Sequence, residues 1–105
     1  MLEDKKAIDI QIIDLKNKSL MCDYFVICSG TSNIHIRTLC DTLVFDGRKQ
    51  GLKKKHIEGR NNAKWVLVDF RDIIVHIFDP NEREFYDIEN LWENYRQVNP
   101  TIINN

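Results

Sequence analysis

The chain has 105 residues, enough for one hydrophobic core and not for two. Hydrophobic residues at 43% and charged residues at 30% exclude an intrinsically disordered chain and fit a globular domain. Fifteen Lys and Arg against sixteen Asp and Glu leave a net charge of −1, which excludes any global attraction to DNA, RNA or an anionic membrane.

No apolar run approaches the roughly 18 residues needed to cross a bilayer. The start, Met1 to Lys6, is charged and lacks the apolar stretch of a signal peptide, so export is not expected. Cys22, Cys28 and Cys40 are odd in number and widely spaced, with no C-x-x-C and no paired histidines. They read as buried or half-buried free thiols of a reducing compartment, not as a zinc site.

In chain order, Ile8 to Leu15 alternates as a half-buried strand, with Ile8, Ile10 and Ile12 on one face and Asp9 and Gln11 on the other. Asn17-Lys18-Ser19 marks a turn. Asp23 to Ser29 is nearly continuous in apolar residues and reads as an inner strand covered on both faces. Gly30-Thr31-Ser32 ends it, with Ser32 or Thr31 as N-cap of the next element. From Asn33 to Gln50, Ile36, Leu39, Cys40, Leu43 and Val44 recur at helical spacing and predict one helix on the sheet. Arg48-Lys49 and Gly51 suit its C-terminus, and Gly47 is a point where it would fray. A short strand is expected from Lys54 to Glu58, then a polar loop from Gly59 to Ala63.

Trp65 to Phe70 and Ile73 to Phe78 flank Arg71-Asp72 and predict an antiparallel hairpin with Phe70 opposite Ile73. That pairing sets Val66, Val68, Phe70, Ile73, Val75 and Ile77 on one face, wholly apolar and therefore core. The other face carries Trp65, Leu67, Asp69, Ile74, His76 and Phe78. A slip of one residue would scramble the two sets. Pro80-Asn81 breaks the second strand. Glu82 to Tyr95 reads as a short turn or strand and a closing helix, with Leu91, Trp92 and Tyr95 on its apolar stripe. The expected fold class is α/β, a mixed sheet packed with helices, in a single domain over residues 1–97 followed by a flexible tail over 98–105.

Charge is segregated. Arg48, Lys49, Lys53, Lys54, Lys55 and Arg60 are opposed only by Glu58 within their stretch. From Asp69 to Glu93 eight acids face only Arg71 and Arg83, and Trp65, Tyr86, Trp92 and Tyr95 lie in the same half. Aromatics among acids suit docking to a basic protein surface, although a solvated acidic face would look the same. The basic stretch could touch phosphate, but it lacks interleaved aromatics and reads more simply as a solvated loop.

Gly30-Thr31-Ser32 between strand and helix could cradle a phosphate. Nucleotidyltransferase chemistry also needs clustered carboxylates for divalent metals, and the region downstream supplies Asp41 alone, so that enzyme is not supported. His76 with Asp69 could form a general-base pair, but no Ser or Cys nucleophile accompanies them in the strand pair. No catalytic, metal or cofactor site is predicted.

Three blocks are more specific. They are Asp23-Tyr24-Phe25-Val26-Ile27 with Gly30-Thr31-Ser32; Ile57-Glu58-Gly59-Arg60 before Lys64-Trp65-Val66-Leu67-Val68-Asp69-Phe70; and Asp72 to Phe78 followed by Arg83-Glu84-Phe85-Tyr86-Asp87-Ile88-Glu89-Asn90-Leu91-Trp92. In order and spacing they resemble the ribosomal silencing factor family, also called RsfS or Iojap-like, over about Glu3 to Trp92.

The resemblance implies a nucleotidyltransferase-like α/β fold without catalytic carboxylates. It implies a non-enzymatic protein that binds the large ribosomal subunit through ribosomal protein uL14, blocks joining of the small subunit and so represses translation; organelle members look associated with large-subunit assembly. Carried onto this sequence, the partner-binding residues are Trp65, Tyr86 and Asp87, and the derived hairpin face adds Asp69, His76 and Phe78. A minor rRNA contact and a homodimer off the ribosome fit the same picture, with no DNA, membrane or cofactor. The expected location is a bacterial cytoplasm or, alternatively, an organelle matrix. Two departures stand out: family members usually carry a helix ahead of the Asp4-Lys5-Lys6-Ala7 segment, and Arg71 occupies a hairpin position where the family often has Gly.

Overall fold

The computed structural model describes residues 2–91. Trp92, Tyr95 and the expected tail over 98–105 lie outside the described residues, as does the expected domain boundary at 97. A short 3-10 turn over Glu3–Lys5 precedes β1 (Ile8–Asp14), β2 (Tyr24–Ser29), α1 (Asn33–Lys49), β3 (His56–Glu58), β4 (Trp65–Asp69), β5 (Ile73–Phe78) and α2 (Pro80–Tyr86). The strands form one mixed sheet in the order β1-β2-β5-β4-β3, in which only β2 and β5 are parallel. The long connection between those two strands carries α1 across one face, which is what a parallel pair requires. The fold is the expected α/β arrangement.

α1 buries Ile36, Leu39, Cys40 and Leu43, the predicted stripe, against Val66, Val68, Phe70, Val75 and Ile77 of the hairpin. Ser32 caps it, its Oγ accepting the His35 N–H at 3.0 Å. Gly47 does not fray the helix. It is buried, and a Cβ there would lie 3.3 Å from the Phe70 ring, so the small residue lets the helix sit close to the hairpin end.

The hairpin register is the predicted one: Trp65 pairs with Phe78, Val66 with Ile77, Leu67 with His76, Val68 with Val75 and Asp69 with Ile74. Even parity holds because the turn closes on two residues, with Phe70 N–H donating to the Ile73 carbonyl at 2.9 Å. Arg71 sits there at φ 80°, and Asp72 N–H donates back to the Phe70 carbonyl at 3.1 Å. That is a γ-turn with a positive central φ, a strained form for any residue with a Cβ. The Asp69 carboxylate offsets part of the strain by accepting the Arg71 N–H at 2.6 Å. Arg71→Gly is expected to stabilise the protein by about 1 kcal/mol, read as a higher urea midpoint at unchanged slope. A lower midpoint would show that the Arg side chain contributes more than the backbone strain costs.

β1 departs from the expectation. Ile8 pairs with Ser29 but Gln11 pairs with Ile27, so one extra residue is accommodated at Asp9, whose φ is 51°. This bulge resets the alternation. Ile8 no longer shares a face with Ile10 and Ile12; it shares one with Gln11 and Ile13. Ile10 packs against the α1-side core, Ile13 is buried on the opposite face, and Ile12 remains 64% exposed on the sheet edge.

The C-terminal reading also changes. Pro80 does not merely end β5; it opens α2 at the first helical turn, where its missing N–H costs nothing, and Asp79 caps the helix by accepting the Asn81 N–H at 3.2 Å. Asp87 ends α2 in a left-handed conformation, φ 47°, and the chain turns helical again over 88–91. In place of the short turn or strand expected after Glu82 the chain is already helical, and the expected closing helix is under way by residue 88, after the break at Asp87.

A second, smaller core of Ile13, Leu15, Cys22, Ile27 and Phe78 fills the sheet face opposite α1, with Phe25, Trp65, Ile74 and Ile88 packed against it. The β1–β2 loop and the segment after α2 cover that face on the β1 and β2 side. Among the described residues, none packs over the β3 and β4 side in that second core beyond Trp65 itself.

Candidate docking face

The open part of the sheet is built from β4 and the end of α2. Trp65 opens β4 because Gly59 lets the preceding loop turn tightly under it. Gly59 has φ 82°, and a Cβ there would fall on the Trp65 carbonyl oxygen. The loop is clamped to α1 by Arg37, which donates to the carbonyls of Arg60 (3.2 Å) and Asn61 (2.5 Å). Arg60 in turn makes a two-pronged bond to Asp41 at 2.9 and 2.6 Å. This guanidinium holds the Asp41 carboxyl below the usual carboxylate range.

Trp65 stacks on Phe78 at 5.0 Å between ring centroids and meets Tyr86 of α2 at 4.7 Å. Its indole N–H donates to His76 Nδ1 at 3.1 Å. His76 is buried and also packs edge-on against Phe25 at 4.7 Å. Four of the six sequence-predicted residues, Trp65, His76, Phe78 and Tyr86, therefore form one ring cluster. They divide by depth: Phe78 and His76 lie beneath, while Trp65 is half-buried and Tyr86 exposed. Asp87 is exposed next to Tyr86. Asp69 lies four residues along β4 from Trp65, about 13 Å away at strand rise, with its carboxylate turned to the Arg71 N–H. The His76–Asp69 general-base pairing is not formed, since each group is committed elsewhere.

Because His76 Nδ1 accepts from Trp65, its proton is on Nε2, a buried nitrogen without a hydrogen-bond partner among the described residues. Burial pushes the imidazole pKa down to about 4. An unfolded His titrates near 6.5, so the fold holds this ring neutral. Stability from this group is intact above about pH 6.5 and declines as pH falls toward about 4, where the folded form also protonates. Wild type is expected to lose about 2 kcal/mol more than His76→Gln between pH 7 and 5 in urea unfolding. Equal losses in the two proteins would mean that His76 does not drive the change.

Sequence reading missed several parts of this face. The hairpin alternation already places Leu67 on this face, but not its pairing with Glu58 of β3, and with Trp65 and Gly59 the two line a shallow groove of about 340 Å³. Phe85 is 78% exposed and meets Tyr86 edge-on at 5.0 Å. Arg83 is buried and ties α2 to the sheet. Phe85 could have been found from its place beside Tyr86; nothing in sequence pointed to Arg83 as a buried hub among so many surface acids.

The Gly30–Ser32 turn has a different use from a phosphate cradle. The Thr31 N–H donates to His35 Nδ1 at 2.8 Å, and His35 Nε2 contacts the Lys5 carbonyl at 2.8 Å, so the turn fastens the N-terminal segment to α1. Among the described residues no group of three or more His, Cys, Asp or Glu could hold a metal ion. The three cysteines are free and buried, and burial pushes the Cys28 thiol up to about 11.

The profile of a family described as "Ribosomal silencing factor during starvation" matches residues 1–105. The Ribosomal silencing factor RsfS of Bacillus subtilis is 39% identical over 90 residues, covering 86% of this chain and 76% of its own. A mouse protein, "Mitochondrial assembly of ribosomal large subunit protein 1", is 34% identical over 88% of this chain and 42% of its own. Among solved structures, a Chromobacterium violaceum protein superimposes with a TM-score of 0.84 at 33% identity, covering 88% of this chain and 77% of that one. A Bacillus halodurans protein does so at 0.77 and 37% identity, covering 87% and 85%. A mixed sheet with the predicted hairpin register, an aromatic cluster on its open face and these likenesses in sequence and structure identify the chain as a member of the RsfS ribosomal silencing factor family.

Proposed function

We propose that this chain is a ribosome-binding repressor of translation that acts by occupancy and has no catalytic group. Trp65, Tyr86 and Asp87 dock it on protein uL14 of the large ribosomal subunit, and its bulk then blocks joining of the small subunit. The observation that carries this reading is the contact between half-buried Trp65 and exposed Tyr86, with Glu58 beside Trp65 in the shallow groove and Asp87 exposed next to Tyr86. Such a surface fits a basic ribosomal protein: the rings supply area removed from water, and the carboxylates steer the encounter. Phe78 and His76 act from beneath, holding the indole in one orientation. Asp69, at the far end of β4, would meet the partner only at the rim. The bacterial relatives favour a bacterial cytoplasm as the setting.

The test is a joining assay with purified large and small subunits, followed by sedimentation. Added protein should travel with the large subunit and lower the monosome peak. The mouse relative's name supports a second reading, a role in large-subunit assembly in an organelle matrix. Binding to the large subunit with no loss of joining would select it.

A further inference from the structure

The docking face leaves the opposite end of the molecule unused, and that end is basic. Arg48 and Lys49 come from the last turn of α1, Lys53, Lys54 and Lys55 from the connection to β3, and Arg71 from the β4–β5 turn. Two adjoining grooves share Lys54: one of about 370 Å³ runs past Phe45, Arg48 and Lys49, and one of about 470 Å³ runs past Lys53, Lys55 and Arg71. None of the six cations is in an ion pair among the described residues. Two neighbouring acids have other work, Asp41 on Arg60 and Asp69 on the Arg71 N–H.

Two further observations bear on what this rim meets. Phe45 is 62% exposed one helical turn before Lys49, whose ammonium lies 4.4 Å from the ring centroid. An aromatic that sequence order placed outside the basic run thus stands within it. Arg71 occupies a backbone position where glycine would be unstrained. Strain retained at an exposed, charged side chain points to use of that side chain.

We infer that this rim binds the phosphate backbone of RNA, with Phe45 available to stack on an unpaired base. Hydrated lysines along a concave edge, with a single exposed aromatic, match a phosphate track with a stacking platform. An acidic protein partner would be expected to meet a more apolar centre, and an anionic membrane a wider apolar face. Because the acidic docking face lies elsewhere, RNA would be held in one orientation despite the net charge of −1. The inference extends the ribosomal reading: a chain seated on a ribosomal protein by its acidic face would present this rim to neighbouring rRNA.

The test uses the full chain and a labelled RNA duplex of roughly two turns with a short single-stranded end, titrated between about 50 and 200 mM salt. Wild type should bind with a dissociation constant of about 1–100 µM at low salt and a steep salt dependence. The triple variant Lys53→Gln, Lys54→Gln, Lys55→Gln should bind at least about ten-fold more weakly, with a logarithmic salt slope smaller by about 2 to 3. Arg71→Gly should lose RNA affinity while gaining stability, so its loss could not be read as misfolding. Tyr86→Ala should keep wild-type duplex binding whether or not it loses the large subunit, which separates this rim from the docking face. Equal duplex binding by wild type and the triple variant overturns the inference. So does tighter binding to vesicles of mixed phosphatidylglycerol and phosphatidylcholine, or to polyglutamate, than to the duplex.

Discussion

Tyr86→Ala is expected to weaken co-sedimentation with large ribosomal subunits by at least about thirty-fold, roughly 2 kcal/mol, while leaving the protein folded. Tyr86 is 47% exposed and rests on Trp65 and Phe85, so its removal opens no core cavity. What is lost is a large, stiff ring with only two rotatable side-chain bonds, which a partner can cover at small entropic cost. Trp65→Ala should weaken binding at least as much, but it is the less clean test. The indole belongs to the second core and bonds to His76, so its loss is also expected to lower stability by about 3 kcal/mol. A conservative Trp65→Phe keeps much of the packing and removes the bond to His76 Nδ1. Wild-type co-sedimentation of both Tyr86→Ala and Trp65→Ala would place the docking surface elsewhere on the molecule.

The second large effect is expected at Arg83, and it is an effect on folding. Its guanidinium is buried where α2, β2 and the β1 bulge meet. Nε and Nη2 both reach Glu89 Oε2 at 2.8 Å, Nη1 donates to Ser29 Oγ at 3.0 Å and to the Ile8 carbonyl at 3.4 Å, and Nη2 donates to the Asp9 carbonyl at 2.8 Å. The bulge at Asp9 interrupts the β1–β2 ladder beside these carbonyls, and Arg83 supplies donors in place of the lost strand partner. Arg83→Leu keeps much of the volume but strands a hydroxyl, two carbonyls and the Glu89 carboxylate. The expected loss is about 4 kcal/mol in chemical denaturation. Arg83→Lys should recover only part, because one ammonium does not span the fork that these acceptors define. A loss below about 1 kcal/mol in Arg83→Leu would mean that water reaches and satisfies those groups. Since α2 carries Tyr86, Arg83 also positions the proposed docking face from behind.

The β4–β5 hairpin was readable because its alternation runs over two strands and an even turn, so parity alone assigned both faces. The α1 stripe was readable for the equivalent reason at helical spacing. β1 was not, because its apparent alternation spans a bulge: a single residue at positive φ reverses which isoleucines face the core, and Asp9 carries no local signal of that kind. α2 was misjudged at its start because Asp-Pro-Asn looks the same whether Pro ends a strand or opens a helix. The Asp79 cap decides it.

The amino-acid order by itself determined the mixed α/β class, the hairpin register, the free thiols and the family resemblance, since each rests on periodicity or on words of neighbouring residues. Only the tertiary structure decided depth and company. It put Phe78 and His76 under Trp65 and left Tyr86 outside, and it buried Arg83. It also gathered Arg48, the 53–55 lysines and Arg71 on one rim, away from the acids that nearly cancel them in the net charge. The reason is physical: exposure and charge complementarity are set by which distant segments pack together, and periodicity along the chain does not report those contacts.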